Sequence, residues 1–250
     1  MEPQVMDGLK KEPLGKYEIL VSSDHTFGTD AVLLADFAGR QRAKKACDIG
    51  TGCGIIPLLL LKDGKALEVH GVELQPAAAE IAGKNAMLNG IEAQFSVHNV
   101  DMKEVKGALP HAEFDLVTCN PPYKVDGGGN QNLTEAQRIA RHEVKCTFSD
   151  VVAAAKYLLK FGGRLCVCHR PERLADVICD MRECGIEPKV LREVIQREGE
   201  EAWLVLVEGK LGGNRGMTVL PPLYVEKNGE LTDEMIAIYG DYKQGHGRKI

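Results

Sequence analysis

The sequence predicts an α/β protein, with a mostly parallel sheet, helices on both of its faces, and an antiparallel hairpin at one end. Three observations lead there. From Lys45 onward, short apolar runs alternate with longer segments of helical period, the pattern of a parallel sheet covered by helices. The first apolar run, Ala46 to Ile49, passes through a glycine-rich turn into a helical segment. The last two, Lys189 to Ile195 and Ala202 to Val207, are joined only by the polar link Gln196 to Glu201, so these strands must be antiparallel.

Taken in order, Lys16 to Val21 reads as a small strand ahead of the core, and Thr29 to Ala38 as a helix with Thr29 or Asp30 as an ordinary cap. Ala46 to Ile49 is the first core strand, and the helix after it runs through Leu61. Glu68 to Val72 is the second strand. Pro76 to Leu88 is a helix that opens on proline and ends before Asn89-Gly90. A third strand lies near Gln94 to Val97, and a fourth, Phe114 to Cys119, runs straight into Asn120-Pro121-Pro122-Tyr123. Ser149 or Asp150 caps the next helix, whose apolar Val151, Val152, Ala155, Leu158 and Leu159 keep the helical period and whose stop is Gly162. Leu165 to Cys168 is the fifth strand, and Pro171 opens a helix that runs to Gly185. After the hairpin, the tail carries Pro221-Pro222, a turn at Asn228-Gly229 and a short helix near Thr232 to Tyr239. The 250 residues suit one domain, with an N-terminal extension over 1–43, a core over 44–208 and a C-terminal extension over 209–250.

Composition narrows the function. The net charge of −5 argues against coating nucleic acid by bulk attraction. A local basic face remains open, either at Arg40, Arg42, Lys44 and Lys45 or at Lys124, Arg138, Arg141 and Lys145, although solvated surface is the simpler account of both clusters. The eight cysteines read as reduced, buried thiols, since several sit inside apolar runs. Cys166 and Cys168 share one strand face without a second ligand pair, and His142 with Cys146 lacks a third ligand, so no metal is expected. Met1 to Pro13 holds no signal-like apolar stretch, and Ile55 to Leu61 contains Pro57 and is too short to span a bilayer. A soluble, cytoplasmic protein is expected.

The run Asp48-Ile49-Gly50-Thr51-Gly52-Cys53-Gly54 sits at the strand-to-helix passage where open α/β sheets bind ligands. A nicotinamide or flavin fingerprint would place its third glycine at position 55, which is Ile55. The glycine comes one residue early. The run instead resembles the first motif of S-adenosylmethionine-dependent methyltransferases, and the sheet ending in a hairpin resembles their seven-stranded class I fold. That resemblance implies that Gly50, Thr51, Gly52 and Gly54 let the backbone approach the methionine part of the cofactor. It also implies that Asp48 orients the turn and helps hold the amino group. Glu73, at the end of the second strand, can accept both ribose hydroxyl protons. Asp101, after the third strand, can accept from the cofactor's adenine amine. The stretch matching Gly28, Thr29 and Asp30 closes over the methionine end in the family.

Asn120-Pro121-Pro122-Tyr123 alone reads as a turn. Directly after the fourth strand, it resembles the N-P-P-Y/F motif of enzymes that methylate amino groups conjugated with a ring or a carbonyl. The chemistry accounts for the residues. Such a nitrogen is a poor nucleophile because its lone pair is delocalised. Two acceptors that draw its N–H bonds out of plane localise that pair toward the sulfonium methyl. The side-chain carbonyl of Asn120 and the main-chain carbonyl of Pro121 are those acceptors. Pro122 holds the backbone before it extended, and Tyr123 offers a ring for a flipped base, worth ~1 to 3 kcal/mol.

Together with Glu73-Leu74-Gln75, Ala140-Arg141-His142-Glu143 and Val219-Leu220-Pro221-Pro222, these motifs resemble the bacterial tRNA1(Val) (adenine-N6)-methyltransferase family over roughly Asp24 to Gly240. The resemblance implies transfer to the N6 amine of the adenine just 3′ of the anticodon, with tRNA as partner and Lys124, Arg138, Arg141 and Lys145 as candidate RNA contacts. The residues leave open a ribosomal RNA methyltransferase acting on adenine N6 or guanine N2, a protein glutamine methyltransferase, and a non-catalytic RNA-binding protein of the same fold. The short segment before Lys45 has no room for the helical recruiting domain that glutamine methyltransferases usually carry.

Overall fold

The computed structural model describes residues 8–121 and 146–242. The chain opens with an antiparallel hairpin, β1 (Lys10–Leu14) and β2 (Tyr17–Val21), followed by helix α1 (Thr29–Ala38). Next come β3 (Ala43–Ile49), α2 (Ile55–Lys62), β4 (Ala66–Glu73), α3 (Pro76–Leu88), β5 (Phe95–Asn99), the short α4 (Val105–Ala108) and β6 (Phe114–Cys119). Beyond the undescribed segment lie α5 (Phe148–Leu158), β7 (Leu159–His169), α6 (Leu174–Glu183), β8 (Ile186–Ile195) and β9 (Ala202–Leu211). The strands are ordered β8-β9-β7-β6-β3-β4-β5, and β3 to β7 are mutually parallel. β9 runs antiparallel to both its neighbours, as the short link Gln196 to Glu201 requires.

The sheet has nine strands, not the seven expected. Two-residue strands β10 (Thr218–Val219) and β11 (Leu223–Tyr224) both pair parallel with β8. Segments that short carry no readable period. A small hairpin follows, β12 (Glu226–Lys227) with β13 (Glu230–Leu231). Its turn residues Asn228 and Gly229 both have positive φ, 55° and 82°, as a tight two-residue hairpin turn demands. Helix α7 (Asp233–Tyr239) is capped by Thr232, whose hydroxyl accepts from the Met235 N–H.

Alternation along the strands splits the core into two layers. Ala46, Leu116, Cys166, Cys168, Leu204 and Leu206 face α1, α2 and α3. Cys47, Val117, Leu165, Val167, Val205 and Val207 face α4, α5 and α6. Cys166 and Cys168 thus share one face, and none of the cysteines forms a disulfide.

Other boundaries move for physical reasons. The cap of α5 is Thr147, not Ser149 or Asp150, because Thr147 and Asp150 form a reciprocal capping box. The helix stops at Leu158, so Gly162 lies inside β7 rather than at the helix end. At its neighbour Gly163 a Cβ would stand 2.9 Å from the Lys160 carbonyl oxygen and 3.0 Å from that of Phe114. The glycine pair lets the two strands meet where the β6–β7 register shifts. Pro171 opens a 3₁₀ turn, Pro171–Arg173, before α6 begins at Leu174. Neither Thr29 nor Asp30 caps α1. The cap position is Gly28, with no side-chain bond. Among the described residues, no helix is long and apolar enough to cross a membrane.

Candidate active site

A cavity of about 470 Å³ opens at the C-terminal ends of β3, β4 and β6, the position at which parallel sheets bind ligands. The glycine loop forms one wall. Gly50, Gly52 and Gly54 have φ of 72°, 55° and 86°, conformations that side chains rarely tolerate. Gly50 and Thr51 donate their N–H groups to the Val72 carbonyl at 2.8 and 3.1 Å, tying the loop to β4. Gly50 and Gly52 line the cavity, and a Cβ on either would meet nothing within 4 Å. The loop therefore leaves that volume of the cavity open. Gly54 serves packing instead, since a Cβ there would lie 2.9 Å from the Phe95 ring. Thr51 is buried, and its methyl sits where a side chain at Gly71 would be.

Glu73 lines the cavity with both carboxylate oxygens oriented. Oε2 accepts the Gly52 N–H and Oε1 the Gln75 N–H, each at 2.9 Å. Each oxygen keeps acceptor capacity for a hydroxyl pair. Asp101, also on the wall, caps the turn Met102–Glu104 by accepting the Lys103 N–H at 2.9 Å with Oδ1, and its second oxygen can meet an amine. Asp48 lies behind the loop, 1% exposed. Thr118 donates to its Oδ1 at 2.7 Å, while Oδ2 has no hydrogen-bond partner. Burial pushes the Asp48 carboxyl up to about 7, against the Thr118 and Thr51 hydroxyls that favour its charged form without Thr51 meeting hydrogen-bond geometry.

Of Gly28, Thr29 and Asp30, only Asp30 reaches the cavity. Its Oδ1 accepts the Ala31 N–H at 2.9 Å and lies 2.7 Å from where a Cβ on Gly28 would stand. Thr29 turns its hydroxyl to Tyr239 at 2.9 Å, joining α1 to α7. Asn120 and Pro121 border the cavity directly after β6, and the Cys168 thiol donates to Asn120 Oδ1 at 3.1 Å. Pro122, Tyr123, Lys124, Arg138, Arg141, Lys145 and His142 lie outside the described residues.

The wall also holds residues that the sequence alone does not single out for the site, among them Thr26, Gln75, Met102, Cys119, Cys146 and Val151. Gln75 and Met102 closely follow the two strand-end acids, and that adjacency is the available signal. Cys146 and Val151 arrive from the start of α5, which nothing local announces. Burial raises the thiols of Cys119 and Cys146, the latter to about 11, so both present neutral sulfur. Among the described residues, no group of three or more His, Cys, Asp or Glu is arranged to hold a metal.

A parallel sheet with a glycine loop, strand-end acids and Asn120-Pro121 around one cavity defines a class I methyltransferase architecture. The chain belongs to the methyltransferase small domain family, whose pattern matches residues 21–178. It is 30% identical over 177 residues to the tRNA1(Val) (adenine(37)-N6)-methyltransferase of Yersinia pseudotuberculosis serotype O:3 (strain YPIII), covering 67% of this chain and 69% of the relative. The enzyme of the same name from Porphyromonas gingivalis (strain ATCC BAA-308 / W83) is 32% identical over 157 residues, 60% of each chain. Among solved structures, a predicted O-methyltransferase, protein Atu636 from Agrobacterium tumefaciens, superposes with a TM-score of 0.67 at 25% identity, over 89% of this chain and 100% of that one. P. horikoshii TYW2 in complex with MeSAdo shares the fold, with a TM-score of 0.58 at 16% identity over 83% and 73% of the two chains.

Proposed function

We propose that this methyltransferase uses S-adenosylmethionine to methylate the N6 amine of an adenine in tRNA1(Val), beside the anticodon. The observation that carries the reading is the placement of Asn120 and Pro121 on the same cavity as the glycine loop, Glu73 and Asp101. The residues fit that cofactor. The open space above Gly50 and Gly52 would accommodate the methionine part, the two oriented Glu73 oxygens would accept from the ribose, and Asp101 would accept from the adenine amine. Asp48, with its unpartnered buried oxygen, supports the loop from below. The cofactor supplies a methyl group on a sulfonium.

The chain's own residues do the rest. Asn120 Oδ1 and the Pro121 carbonyl accept the two N–H bonds of the substrate amine, localise its lone pair and aim it at the cofactor. The proton leaves after transfer, so no histidine base is needed. Tyr123 stacks the flipped base, and Lys124, Arg138, Arg141 and Lys145 meet the RNA backbone. We read the chain as one methyltransferase domain working in the cytoplasm, where its RNA is. Support for one unit comes from both ends: Asn85 ties the N-terminal hairpin to α3, and Tyr239 ties the tail to α1.

The test is transfer of labelled methyl to purified tRNA1(Val), total tRNA, ribosomal RNA and protein extract from a strain lacking the gene. Label in N6-methyladenine of tRNA1(Val) is expected. Label only in ribosomal RNA or protein overturns the substrate. Asn120→Ala should leave cofactor affinity nearly intact and lower turnover about a hundredfold or more, as for loss of one preorganised dipole. Full activity would remove Asn120 from the mechanism.

A further inference from the structure

The opposite end of the sheet carries a second depression, of about 700 Å³. It lies one β3 length from the methyl-transfer cavity, about 20 Å at strand rise, and no step described above uses it. Arg42 and Lys44 enter at the start of β3, Lys160 at the start of β7, Lys189 near the start of β8 and Lys210 near the end of the antiparallel β9. Only two carboxylates line it among the described residues, and both are already engaged. Asp115 accepts the Lys44 and Lys45 N–H groups and pairs with Lys160 at 3.2 Å. Glu208, 4% exposed, pairs with the buried Arg164 at 3.0 Å and with Arg40 at 3.1 Å. Lys189 points at the Asn214 and Gly216 carbonyls. Arg42, Lys44 and Lys210 have no carboxylate at salt-bridge distance among the described residues. In a chain of net charge −5, this is a local excess of positive charge.

Phe161 stands in the same depression and is 85% exposed, more than any other large apolar side chain described. Its ring lies over Gly212, where a Cβ would be 2.1 Å from the Phe161 Cε2 atom. The absent side chain at Gly212 thus makes room for the ring, most of which stays open to solvent. The cations are spread over the strands β3-β6-β7-β9-β8, four inter-strand spacings or about 19 Å, wider than a single phosphate group. A row of cations with an interposed open aromatic face is the chemistry that holds unpaired nucleotides, phosphates on the charges and a base on the ring.

We propose that this end of the sheet is a second nucleotide site, binding a short unpaired stretch of RNA through several phosphates and one stacked base. The proposal does not depend on the methyl-transfer assignment. It is tested by fluorescence anisotropy with a labelled single-stranded oligouridylate about eight nucleotides long, on the full chain, over a series of salt concentrations.

The wild type should bind saturably. Lys44→Ala/Lys210→Ala should weaken binding at least about tenfold and flatten the log–log salt slope by about 1.4, the share of two single-strand phosphates. Phe161→Ala should weaken it at least about fivefold with the slope unchanged, the signature of missing stacking. Melting temperature and S-adenosylmethionine affinity should be the same in all three proteins. Competition with ATP and with inorganic tripolyphosphate separates the sources. Displacement by ATP or by tripolyphosphate at concentrations comparable to the oligonucleotide assigns the site to a free nucleotide or a polyphosphate and overturns the RNA reading, whereas displacement by either only in large excess assigns it to an RNA strand. Equal affinity and slope in wild type and both variants, or no binding by the wild type, overturns the proposal.

Discussion

Glu73 and Asp48 end neighbouring strands and serve the same loop in different ways. Both Glu73 oxygens accept backbone N–H groups and remain on the cavity wall, so the ribose would find its acceptors already oriented. We predict that Glu73→Ala weakens S-adenosylmethionine binding by about 1.5 to 3 kcal/mol, the range for hydrogen bonds to a charged group. Calorimetry returning wild-type affinity would rule the assignment out. Asp48 makes a pH prediction. Its carboxyl is raised from 3.8 to about 7 in the folded chain, so between those values the folded state holds a proton that the unfolded state has lost. That contribution to stability is complete below pH ~4, declines as pH rises toward ~7 and is absent above it. Thermal melts of wild type and Asp48→Asn over this window should diverge: the variant should lack that part of the decline. Parallel curves would mean that Asp48 does not carry the proton. Both acids are legible in the sequence because they end apolar runs. What Asp48 does there is not, since its hydrogen-bond partner Thr118 lies on another strand.

Helix α3 is the element that holds the N-terminal hairpin in place. Asn85 is fully buried, accepts the Leu20 N–H at 2.6 Å, and donates to the Leu20 and Cys53 carbonyls at 2.9 and 2.8 Å. Asn85→Ala strands a buried N–H and two carbonyls, each unsatisfied group costing about 1 to 3 kcal/mol. Chemical denaturation should show a decrease of at least about 2 kcal/mol, and a decrease below about 0.5 kcal/mol would mean that water replaces the amide. The extent of α3 can be read locally, from Pro76 at its start and Asn89-Gly90 after its end. The partners of Asn85 cannot, because they lie far along the chain. The α5–β7 boundary is misleading for a related reason: Gly162 looks like a helix stop in isolation, whereas it lies inside β7, whose flanking residues Leu159 and Arg164 pair with β6.

Over the whole molecule, the alternation of strands and helices is legible because each apolar run is buried on both faces of the sheet, whereas β10 and β11 are too short to leave a pattern. Charge is the other whole-molecule quantity. A chain of net −5 must meet tRNA through local basic groups. Arg138→Ala/Arg141→Ala should therefore weaken tRNA binding and flatten its salt dependence by roughly one log–log unit for each phosphate left without its cation, with cofactor affinity unchanged. Filter binding across salt concentrations checks this, and identical slopes would reduce these arginines to surface. The two-residue strands have a consequence of their own. Leu220 and Val225 donate to the Leu191 and Ile195 carbonyls, so the tail covers the outer edge of β8 along much of its length. Pro221 and Pro222, between the two strands, have no N–H to offer, so the covering segment is a poor template for another strand. A chain ending before Thr218 would present most of a ten-residue strand edge to its neighbours. Its characteristic failure would be concentration-dependent self-association into β-rich aggregates rather than unfolding, which makes the tail a guard on solubility as well as part of the fold.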